Sequence, residues 1–237
     1  AQCKCIRFVG MIIEIENYRQ ENCLQCSQKG TKHGKSTNGI QRLYCKFCKK
    51  TWQISYVYNA YFNKTNSFIV QFIKEGCGIR SIARLLEIST TTLLLRIKNI
   101  AKEIKLPTLS LHKTYQIDEL CTFVKSKQNK VWIACALEEE SKKIVRFFIG
   151  KRTNKTLKKV VNDILISDPA HIKTDKLKNY QFLIPKEIHK TFSKGIQNIE
   201  RMNLNLRTHL KRLNRKTIAF SKDIAMLNAV TKIYILQ

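Results

Sequence analysis

The sequence has few of the residues that interrupt regular secondary structure. Its 237 residues include only 8 glycines and 3 prolines, whereas hydrophobic residues make up 43%. The scarcity of glycine and proline excludes collagen-like and linker-like chains, and the hydrophobic content excludes wholesale disorder. A chain of this length predicts one or two compact domains with enough residues to bury a core.

Long apolar runs are also missing. The apolar stretches are short, such as Phe8 to Ile13 and Ile144 to Gly150, and Arg146 interrupts the second. Both are far shorter than the roughly 20 residues that span a bilayer, so no membrane-spanning segment is predicted. No signal-peptide pattern opens the chain, so we expect a soluble protein in the cytoplasm.

Acidic residues are scarce. The chain has 17 Asp and Glu against 44 Lys and Arg, which gives a formal net charge of +27. The excess is +12 over residues 1–110 (18 basic, 6 acidic) and +15 over residues 111–237 (26 basic, 11 acidic). A surplus spread over the whole chain favours a polyanionic partner, nucleic acid first and an acidic membrane surface second. A solvated basic surface without a specific partner is the alternative.

Four of the nine cysteines are regularly spaced. They form two C-x-x-C pairs separated by eighteen residues, namely Cys23, Cys26, Cys45 and Cys48. Two such pairs can supply four thiolates to one tetrahedral Zn²⁺, so residues 21–55 are predicted to be a zinc ribbon that follows an amino-terminal extension of residues 1–20. A redox pair is the alternative, although one C-x-x-C would suffice for that.

Helical spacing of apolar residues begins after the predicted ribbon. Three short helices are predicted within residues 63–106, the third capped by Ser89. A short second helix and a tight turn favour a helix–turn–helix, whose last helix enters the major groove of DNA. The exposed first turns of that helix would offer Thr90, Thr91, Thr92 and Arg96. An ordinary three-helix bundle is the alternative.

The carboxyl-terminal part, residues 112–237, changes to strand-like periodicity. Three β-rich runs, Tyr115 to Val124, Val131 to Leu137 and Lys143 to Ile149, are followed by alternating helices and short strands. The predicted order, βββαβαβα, is that of a ribonuclease-H-like fold. The whole chain is therefore predicted to be an α+β multi-domain protein.

Three acidic residues occupy the positions where that fold carries metal-binding carboxylates. Asp118 lies in the middle of the first strand, Asp175 directly follows the fourth, and Glu200 lies on a late helix. A carboxylate within an apolar strand is costly unless it is neutralised, which favours a metal site. Glu119 is expected to point to the opposite face of the strand, so that it cannot serve the same site.

The late helix, predicted to run from about Gln197, has two distinct faces. At about 100° per residue, Glu200 shares one face with Asn203, Arg207 and Lys211. A carboxylate beside an amide and two cations suits metal ligation next to a phosphate backbone. Plain surface ion pairs are the alternative.

The block from Asn198 to Thr217, continuing to Phe220-Ser-Lys222, closely resembles the signature of IS-one-type bacterial insertion-sequence transposases. Further marks of this family are Ile117-Asp-Glu119, Gly150-Lys-Arg-Thr153 and Thr174-Asp175 followed by Tyr180. The predicted zinc ribbon and helix–turn–helix also fit the family, so the resemblance covers nearly all of the chain after about residue 20. Ribosomal frameshifting often joins the family's binding and catalytic parts, which appear here in one InsA/InsB-like fused chain.

The resemblance implies a DDE enzyme that cuts and joins DNA. Asp118, Asp175 and Glu200 would be the catalytic triad and would hold Mg²⁺ or Mn²⁺. Asn203 and Arg207 match the family's helix motif. The DNA contacts expected from this block are Asn203, Arg207, Lys211, Arg212, Arg215 and Lys216. The expected partner is double-stranded DNA, namely the element's inverted-repeat ends and the target, bound by at least a dimer at the nucleoid and not at a membrane.

One departure from the family pattern bears on activity. Lys176 follows Asp175 where the family usually has glycine, which would permit a left-handed backbone or close DNA approach. Lysine is expected to distort that loop or to pair with Asp175. A non-catalytic DNA-binding regulator or a decayed copy is therefore the competing class, and a ribonuclease or resolvase is the weaker third.

Overall fold

The computed structural model describes residues 6–8, 11–13, 20–55, 60, 62, 64–192 and 196–237. Most of the predicted amino-terminal extension, including Cys3 and Cys5, lies outside these residues. The chain divides into two compact units. One comprises residues 1–65 with Leu86–Ile88, and the other comprises Asn66–Leu85 with Ser89–Gln237.

The first unit contains two small antiparallel sheets. Strands β1 (Ile6–Phe8) and β2 (Met11–Ile13) pair in one, and β3 (Thr31–Lys35), β4 (Gln41–Tyr44) and β5 (Thr51–Gln53) form the other. Leu43 of β4 is buried, and the ring of Trp52 on β5 lies against Gly30 so closely that a Cβ there would approach it to 2.6 Å. A sheet of twelve residues in three strands buries little apolar surface, so it needs a further source of stability.

Three helices come next, close to their predicted positions. They are α1 (Thr65–Lys74), α2 (Ile79–Leu85) and α3 (Thr90–Glu103). The predicted cap on α3 is confirmed, since the Ser89 Oγ accepts the Thr92 N–H at 3.0 Å. Gly76, after α1, has a φ of +74° and would bring a Cβ within 2.2 Å of the His209 carbonyl oxygen, so a side chain has no room there.

The second unit is built around a five-stranded sheet. Its strands are β6 (Thr114–Val124), β7 (Ser126–Glu138), β8 (Lys143–Gly150), β9 (His171–Thr174) and β10 (His189–Thr191), in the order β10-β9-β6-β7-β8. Strands β6, β7 and β8 are antiparallel, whereas β9 pairs parallel with both β6 and β10. The predicted order βββαβαβα is found from β6 to the helix Gln197–His209, and a further helix that was not predicted follows at Ile224–Leu236.

Helices cover both faces of this sheet. One face packs against α4 (Asn154–Leu165) and α5 (Lys178–Gln181) through a buried cluster that includes Tyr115, Ile117 and Tyr180. Helix α6 (Gln197–His209) packs on β6 and β7, and α7 (Ile224–Leu236) packs on β8 and α3. A sheet covered on both faces explains the near-continuous apolar run of β7 from Val131 to Leu137.

Two predicted boundaries differ from the structure. Strand β7 begins at Ser126, five residues before the predicted start, because the backbone ladder with β6 extends past the apolar run into polar residues. Helix α6 ends at His209, since Leu210 leaves the helical region (φ −97°, ψ 87°) and a short 3₁₀ helix follows over Lys211–Leu213. The prediction that Lys211 shares a helix face with Glu200 is therefore wrong.

Within the part of the chain that the structure describes, no helix combines the length and the hydropathy needed to cross a membrane.

Candidate active site

The pairing of two parallel strands brings the two predicted aspartates together. Strands β6 and β9 are in register up to the pair Ile117 and Thr174. Asp118 and Asp175 are the next residues of the two strands, and the charge of Asp175 raises the pKa of Asp118. Two residues that are 57 positions apart in the chain therefore lie side by side at the end of β9.

Asp118 is a carboxyl group in a partly buried setting. Desolvation by burial raises its pKa from 3.8 to about 6, and the charges of Glu119 and Asp175 add to this. The Asn203 Nδ2 of α6 donates a hydrogen bond to the Asp118 Oδ2 at 2.8 Å, which opposes the shift. Asp118 thus lies where a nearby cation would be most stabilising.

Asn203 offers a further oxygen beside this carboxyl group. Its side chain is buried, and among the described residues its Oδ1 atom has no hydrogen-bond partner. A buried amide oxygen without a protein partner is uncommon, and a water, a ligand or an ion would satisfy it. Asn203 was predicted to contact DNA, and in the structure its amide donates to Asp118.

Asp175 fixes the loop that follows β9. Its Oδ1 accepts the Leu177 N–H at 3.0 Å, closing a local turn. Lys176 is exposed, and it is not among the described residues that have positive φ. Within the described residues Lys176 also forms no salt bridge with Asp175. The expected ion pair with Asp175 is therefore absent among the described residues, and the Lys176 backbone lies outside the left-handed region that the family's glycine would permit.

Glu200 lies on the helix that carries Asn203. It is exposed in the first turn of α6, one turn before Asn203. Among the described residues, the one group of three or more candidate ligands with atoms all within 4.8 Å of one another is the cysteine cluster. The structure thus places Asp118 and Asp175 at adjacent strand positions, and the three predicted carboxylates do not form so tight a cluster.

A buried glutamine holds the start of α6 to the sheet. The Oε1 of Gln116 accepts the Ile199 N–H at 3.1 Å, and helix α6 has no side-chain cap of its own at Ile196. The Nε2 of Gln116 donates to Glu139, which is also paired with Lys173 at 2.7 Å. Gln116 lies two residues before Asp118 on the same face of β6, so one strand positions both the aspartate and the helix above it.

Glu119 points to the opposite face of β6, as expected, and is almost fully buried there. Its carboxylate pairs with Arg152 at 2.8 Å and accepts a hydrogen bond from the Tyr180 hydroxyl. The Arg152 guanidinium also lies over the Trp132 ring, 4.5 Å from its centroid. These contacts tie the loop before α4 and helix α5 to the strand that carries Asp118.

Arg207 interacts with Asp118 and with a second arginine, Arg215. Arg207 is half-buried and donates to the Cys121 carbonyl at 3.2 Å. Burial and the charge of Arg215 both lower the pKa of Arg207, while Asp118 opposes that shift. Two neighbouring guanidinium groups that repel each other form a suitable site for an anion such as phosphate.

The remaining predicted contacts of this region differ in exposure. Lys211, Arg215 and Lys216 are exposed. Arg212 is only partly exposed, and its NH1 donates to the Ser221 Oγ at 2.9 Å. Arg212 therefore connects two parts of the chain and is less available to a ligand than its neighbours.

The residues of α3 that were predicted to contact DNA also differ in exposure. Thr90 and Thr91 are exposed at the start of the helix, and Thr92 is partly exposed. Arg96 donates to the Asn66 Oδ1 of α1 at 2.8 Å, and Lys98 pairs with Asp223 at 3.6 Å. Helix α3 packs on α7, and exposed residues lie both at its start and farther along it, among them Leu95.

The four spaced cysteines converge as predicted. Sulfur atoms of Cys23, Cys26, Cys45 and Cys48 all lie within 4.8 Å of one another, and those of Cys26 and Cys45 are 3.5 Å apart. Backbone N–H groups of Gln25 and Cys26 lower the pKa of Cys23 to about 7. This is the arrangement of a four-thiolate metal site, in which S···S separations of about 3.8 Å follow from 2.3 Å bonds.

Comparison with known families agrees with the motifs in the carboxyl-terminal half. A model of the IS1 transposase family matches residues 113–237, which is more than half of the chain. The chain belongs to the IS1 transposase family.

Relatives of this IS1-family member come from enteric bacteria. The insertion element iso-IS1n protein InsB of Shigella dysenteriae is 32% identical over 120 residues, which are 51% of this chain and 92% of that protein. The insertion element IS1 4 protein InsB of Escherichia coli K12 has the same identity over 120 residues, covering 72% of its length.

Solved structures give more distant likenesses. One is a chain of the simian T-cell lymphotropic virus intasome bound to the PP2A regulatory subunit B56 gamma, with 17% identity, a TM-score of 0.38 and coverage of 69% of this chain and 66% of that one. Another is the HTLV-2 integrase catalytic core domain in complex with magnesium, with 18% identity, a TM-score of 0.36 and coverage of 54% and 86%.

Three positioning residues of this family member escaped the sequence analysis. Gln116 was assigned no role, and Arg152 and Tyr180 were noted only within the family's motifs. Strand alternation could have flagged Gln116, because a polar residue on the Asp118 face of an apolar strand needs a partner. No local pattern indicates that its partner is the backbone of Ile199, 83 residues away.

Proposed function

We propose that this chain is a DNA transposase that binds the inverted-repeat ends of its insertion element and catalyses metal-dependent strand cleavage and strand transfer. In this proposal residues 112–237 form a ribonuclease-H-like DDE domain with Asp118, Asp175 and Glu200 as its triad. The observation that carries the proposal is the adjacency of Asp118 and Asp175 at the ends of paired parallel strands.

The donor set suits Mg²⁺ or Mn²⁺. Hard divalent ions prefer oxygen ligands, and here two carboxylates lie beside the partnerless Oδ1 of Asn203. Asp118, Asp175 and Glu200 would hold the ions, so Glu200 would have to approach the aspartates when the metal and DNA bind. When bound, the ions supply activation of a water or 3′-hydroxyl and stabilisation of the leaving oxygen.

The chain's own side chains would position the DNA at these carboxylates. Asn203 orients Asp118 through its 2.8 Å hydrogen bond. Arg207 and Arg215 would bind the phosphate that is cut, and Lys211, Arg212 and Lys216 would contact neighbouring phosphates. Water and a 3′-hydroxyl can both occupy the attacking position, so one site would serve cleavage and strand transfer.

End recognition would lie in the amino-terminal half. Thr90, Thr91, Thr92 and Arg96 would enter the major groove as the start of a recognition helix, and the exposure of Thr90 and Thr91 supports this role. Zn²⁺ bound by Cys23, Cys26, Cys45 and Cys48 would hold the ribbon together. Because two ends must be cut together, the working complex would contain at least two copies, acting at the bacterial nucleoid.

A second candidate function is a DNA-binding regulator that no longer cuts. Two observations favour it: among the described residues the three carboxylates form no cluster within 4.8 Å, and Lys176 stands where the family has glycine. It would bind the same ends with the same salt dependence. It gives no reason for the retained pairing of Asp118 with Asp175 in a chain with only 17 acidic residues.

Cleavage of a supercoiled plasmid that carries the element's two ends separates these functions. Purified chain is incubated with the plasmid and Mg²⁺, and nicks are mapped by primer extension. We expect nicks at the element's ends that need Mg²⁺ and disappear in Asp118→Ala and Asp175→Ala. A control is Asp168→Asn, which changes an exposed aspartate outside the site, and asparagine tolerates the positive φ there.

Binding of the same ends is measured in parallel by gel shift. Equal binding by all variants without any cutting would support the DNA-binding regulator instead of the transposase. Cutting by Asp118→Ala at the wild-type rate would refute the assignment of the site. If Lys176→Gly cuts where wild type does not, the defect lies in the loop after Asp175.

A further inference from the structure

A dense group of cations lies at the far end of β6, beyond the candidate active site. We call it the hairpin surface and define it by seven exposed residues, Lys125, Lys127, Lys130, Lys211, Arg215, Lys216 and Lys222. Lys125 lies in the turn between β6 and β7, Lys127 and Lys130 lie near the start of β7, and the other four lie in the segment between α6 and α7. Only Lys211, Arg215 and Lys216 have been given a role above.

Two distant parts of the chain are joined at this surface by backbone contacts. Val124 and Ser221 form a parallel bridge, and the Lys125 N–H donates to the Ser221 carbonyl at 2.8 Å. The rings of Phe123 and Phe220 meet edge to face at 5.4 Å. The segment before α7 is thus attached along the end of β6, so that both sets of cations belong to one surface.

The hairpin turn is shaped so that it protrudes. Phe123 pairs with Lys130 and Val124 with Ser126, so Lys127, Gln128 and Asn129 have no register partners on β6. All three are exposed. A bulge of this kind re-aims side chains away from the ladder, and here it presents Lys127 beyond the end of the sheet.

The hairpin surface has no compensating negative charge. Residues 120–131 and 210–222 contain no Asp or Glu. Within the described ranges none of the seven cations takes part in a salt bridge, whereas Asp223 just beyond them pairs with Lys98. Seven like charges held on one rigid surface repel one another, and a polyanion would relieve that repulsion.

The surface is also continuous with the site of the proposed cleavage. Thr122 of β6 donates to the Arg212 carbonyl at 3.2 Å, and Arg207 donates to Cys121, so the contacts lead along β6 from Asp118 to the turn. Six residues of strand separate Asp118 from Val124, about 20 Å at 3.3 Å per residue. Duplex DNA covers that length in about six base pairs.

We propose that the hairpin surface binds the phosphate backbone of duplex DNA up to about six base pairs from the phosphate cut at Asp118 and Asp175. The inference rests on the proposed function and adds a second contact region, separate from the helix–turn–helix. This contact would position the duplex relative to Asp118 and Asp175 independently of base sequence. An anionic membrane is the other polyanion that such a surface could meet, and the test includes it.

The test compares two double variants with equal loss of charge. Lys127→Gln with Lys130→Gln alters the hairpin surface, and Lys142→Gln with Lys143→Gln alters the turn at the other end of β7. Binding of a duplex that carries one element end is measured between 50 and 200 mM salt. Loss of two phosphate contacts reduces the slope of log K against log salt by about 1.8. Wild type should therefore lose about tenfold more affinity over this range than the hairpin variant, and the same as the control.

Phosphate ethylation interference locates the contact. We expect ethylation up to about six base pairs from the cut phosphate to weaken wild type and the control, but not the hairpin variant. If wild type binds and the hairpin variant keeps the full salt slope and interference pattern, the inference is wrong. If wild type does not bind the end at all, the proposed function itself fails. A variant that loses only binding to phosphatidylserine vesicles would assign the surface to a membrane and also refute the inference.

Discussion

At the scale of single residues, Asp118 determines most of the chemistry of the candidate site. Its pKa of about 6 reflects a carboxyl group that is held partly out of water beside two other acids. Such a group destabilises the fold when it is ionised, and this cost is reduced only when a cation is bound. Stability and function therefore oppose each other at this residue.

This opposition predicts how Asp118→Asn changes stability with pH. Between pH 3.8 and about 6 the folded chain binds more protons than the unfolded chain, so its stability falls as pH rises through this window. The variant lacks that loss. Without added Mg²⁺ we expect it to be more stable than wild type at pH 7.5, by at most about 3 kcal/mol, and no more stable at pH 4.

Urea unfolding at both pH values measures the difference. Asp168→Asn is the control, because it removes an exposed carboxylate and asparagine tolerates the positive φ at that position. A stabilisation by Asp118→Asn that is equal at pH 4 and pH 7.5 would contradict the assignment of the shift to Asp118.

The pair of Glu119 and Arg152 makes a second residue-scale prediction. Arg152→Met leaves the Glu119 carboxylate buried with Tyr180 as its remaining partner. This should lower the free energy of unfolding by about 2–4 kcal/mol. Because Arg152 is partly exposed, we expect a value in the lower half of that range. Adding Glu119→Gln removes the unpaired charge and should restore most of the loss. Chemical denaturation of the two variants tests this, and a double variant that is less stable than Arg152→Met would refute it.

At the scale of elements, helix α6 is placed by a residue that is not part of it. Gln116→Leu removes the acceptor for the Ile199 N–H and leaves that group unsatisfied, a cost of about 1–3 kcal/mol. We expect faster hydrogen exchange at the start of α6 and slower cutting, since α6 carries Glu200 and Asn203. Gln71→Leu, at an exposed position of α1, is the control. Unchanged exchange at Ile199 in Gln116→Leu would show that the contact does not hold the helix.

The elements themselves were largely predictable from local patterns, and their relations were not. Ser89 capped α3 as expected, and the strands of the large sheet lay where alternation and apolar runs placed them. The end of α6 was missed, because periodicity carries on through Leu210 and Leu213 although the backbone turns at Leu210. Leu210 at the turn and Leu213 after it are both buried, as they would be on the core face of a longer helix. Apolar spacing alone cannot distinguish these two cases.

The candidate site shows the same limit. Sequence reasoning found Asp118 and Asp175, because a charge within or directly after an apolar strand stands out. It grouped Glu200, Asn203 and Arg207 by helix geometry, but only packing determines that Asn203 faces Asp118 while Glu200 faces solvent. Of the two expectations for Lys176, the ion pair with Asp175 is not formed among the described residues, and the backbone there does not enter the left-handed region.

At the scale of the whole molecule, the two units should respond differently to loss of metal. The sequence has two tryptophans, and Trp52 lies in the ribbon while Trp132 lies in the large sheet. A zinc chelator should unfold the ribbon and shift the emission of Trp52 to longer wavelength, because the four cysteines and a small core are what hold it. Emission from Trp132 should stay unchanged.

Variants with a single tryptophan, Trp132→Phe and Trp52→Phe, separate the two signals. Restoring Zn²⁺ should reverse the change at Trp52, and Cys45→Ser should reproduce it without chelator. A Trp52 spectrum that does not respond to the chelator would show that the ribbon folds without metal.

The central claim is that Asp118, Asp175 and Glu200 form one metal site when DNA is bound. The most direct measurement is calorimetric titration of Mn²⁺ into the full chain assembled on a pre-cut element end. The account predicts at least tenfold weaker binding for Asp118→Asn, Asp175→Asn and Glu200→Gln, and wild-type binding for Glu187→Gln, an exposed control. Wild-type Mn²⁺ affinity in Glu200→Gln or in Asp175→Asn would contradict the claim.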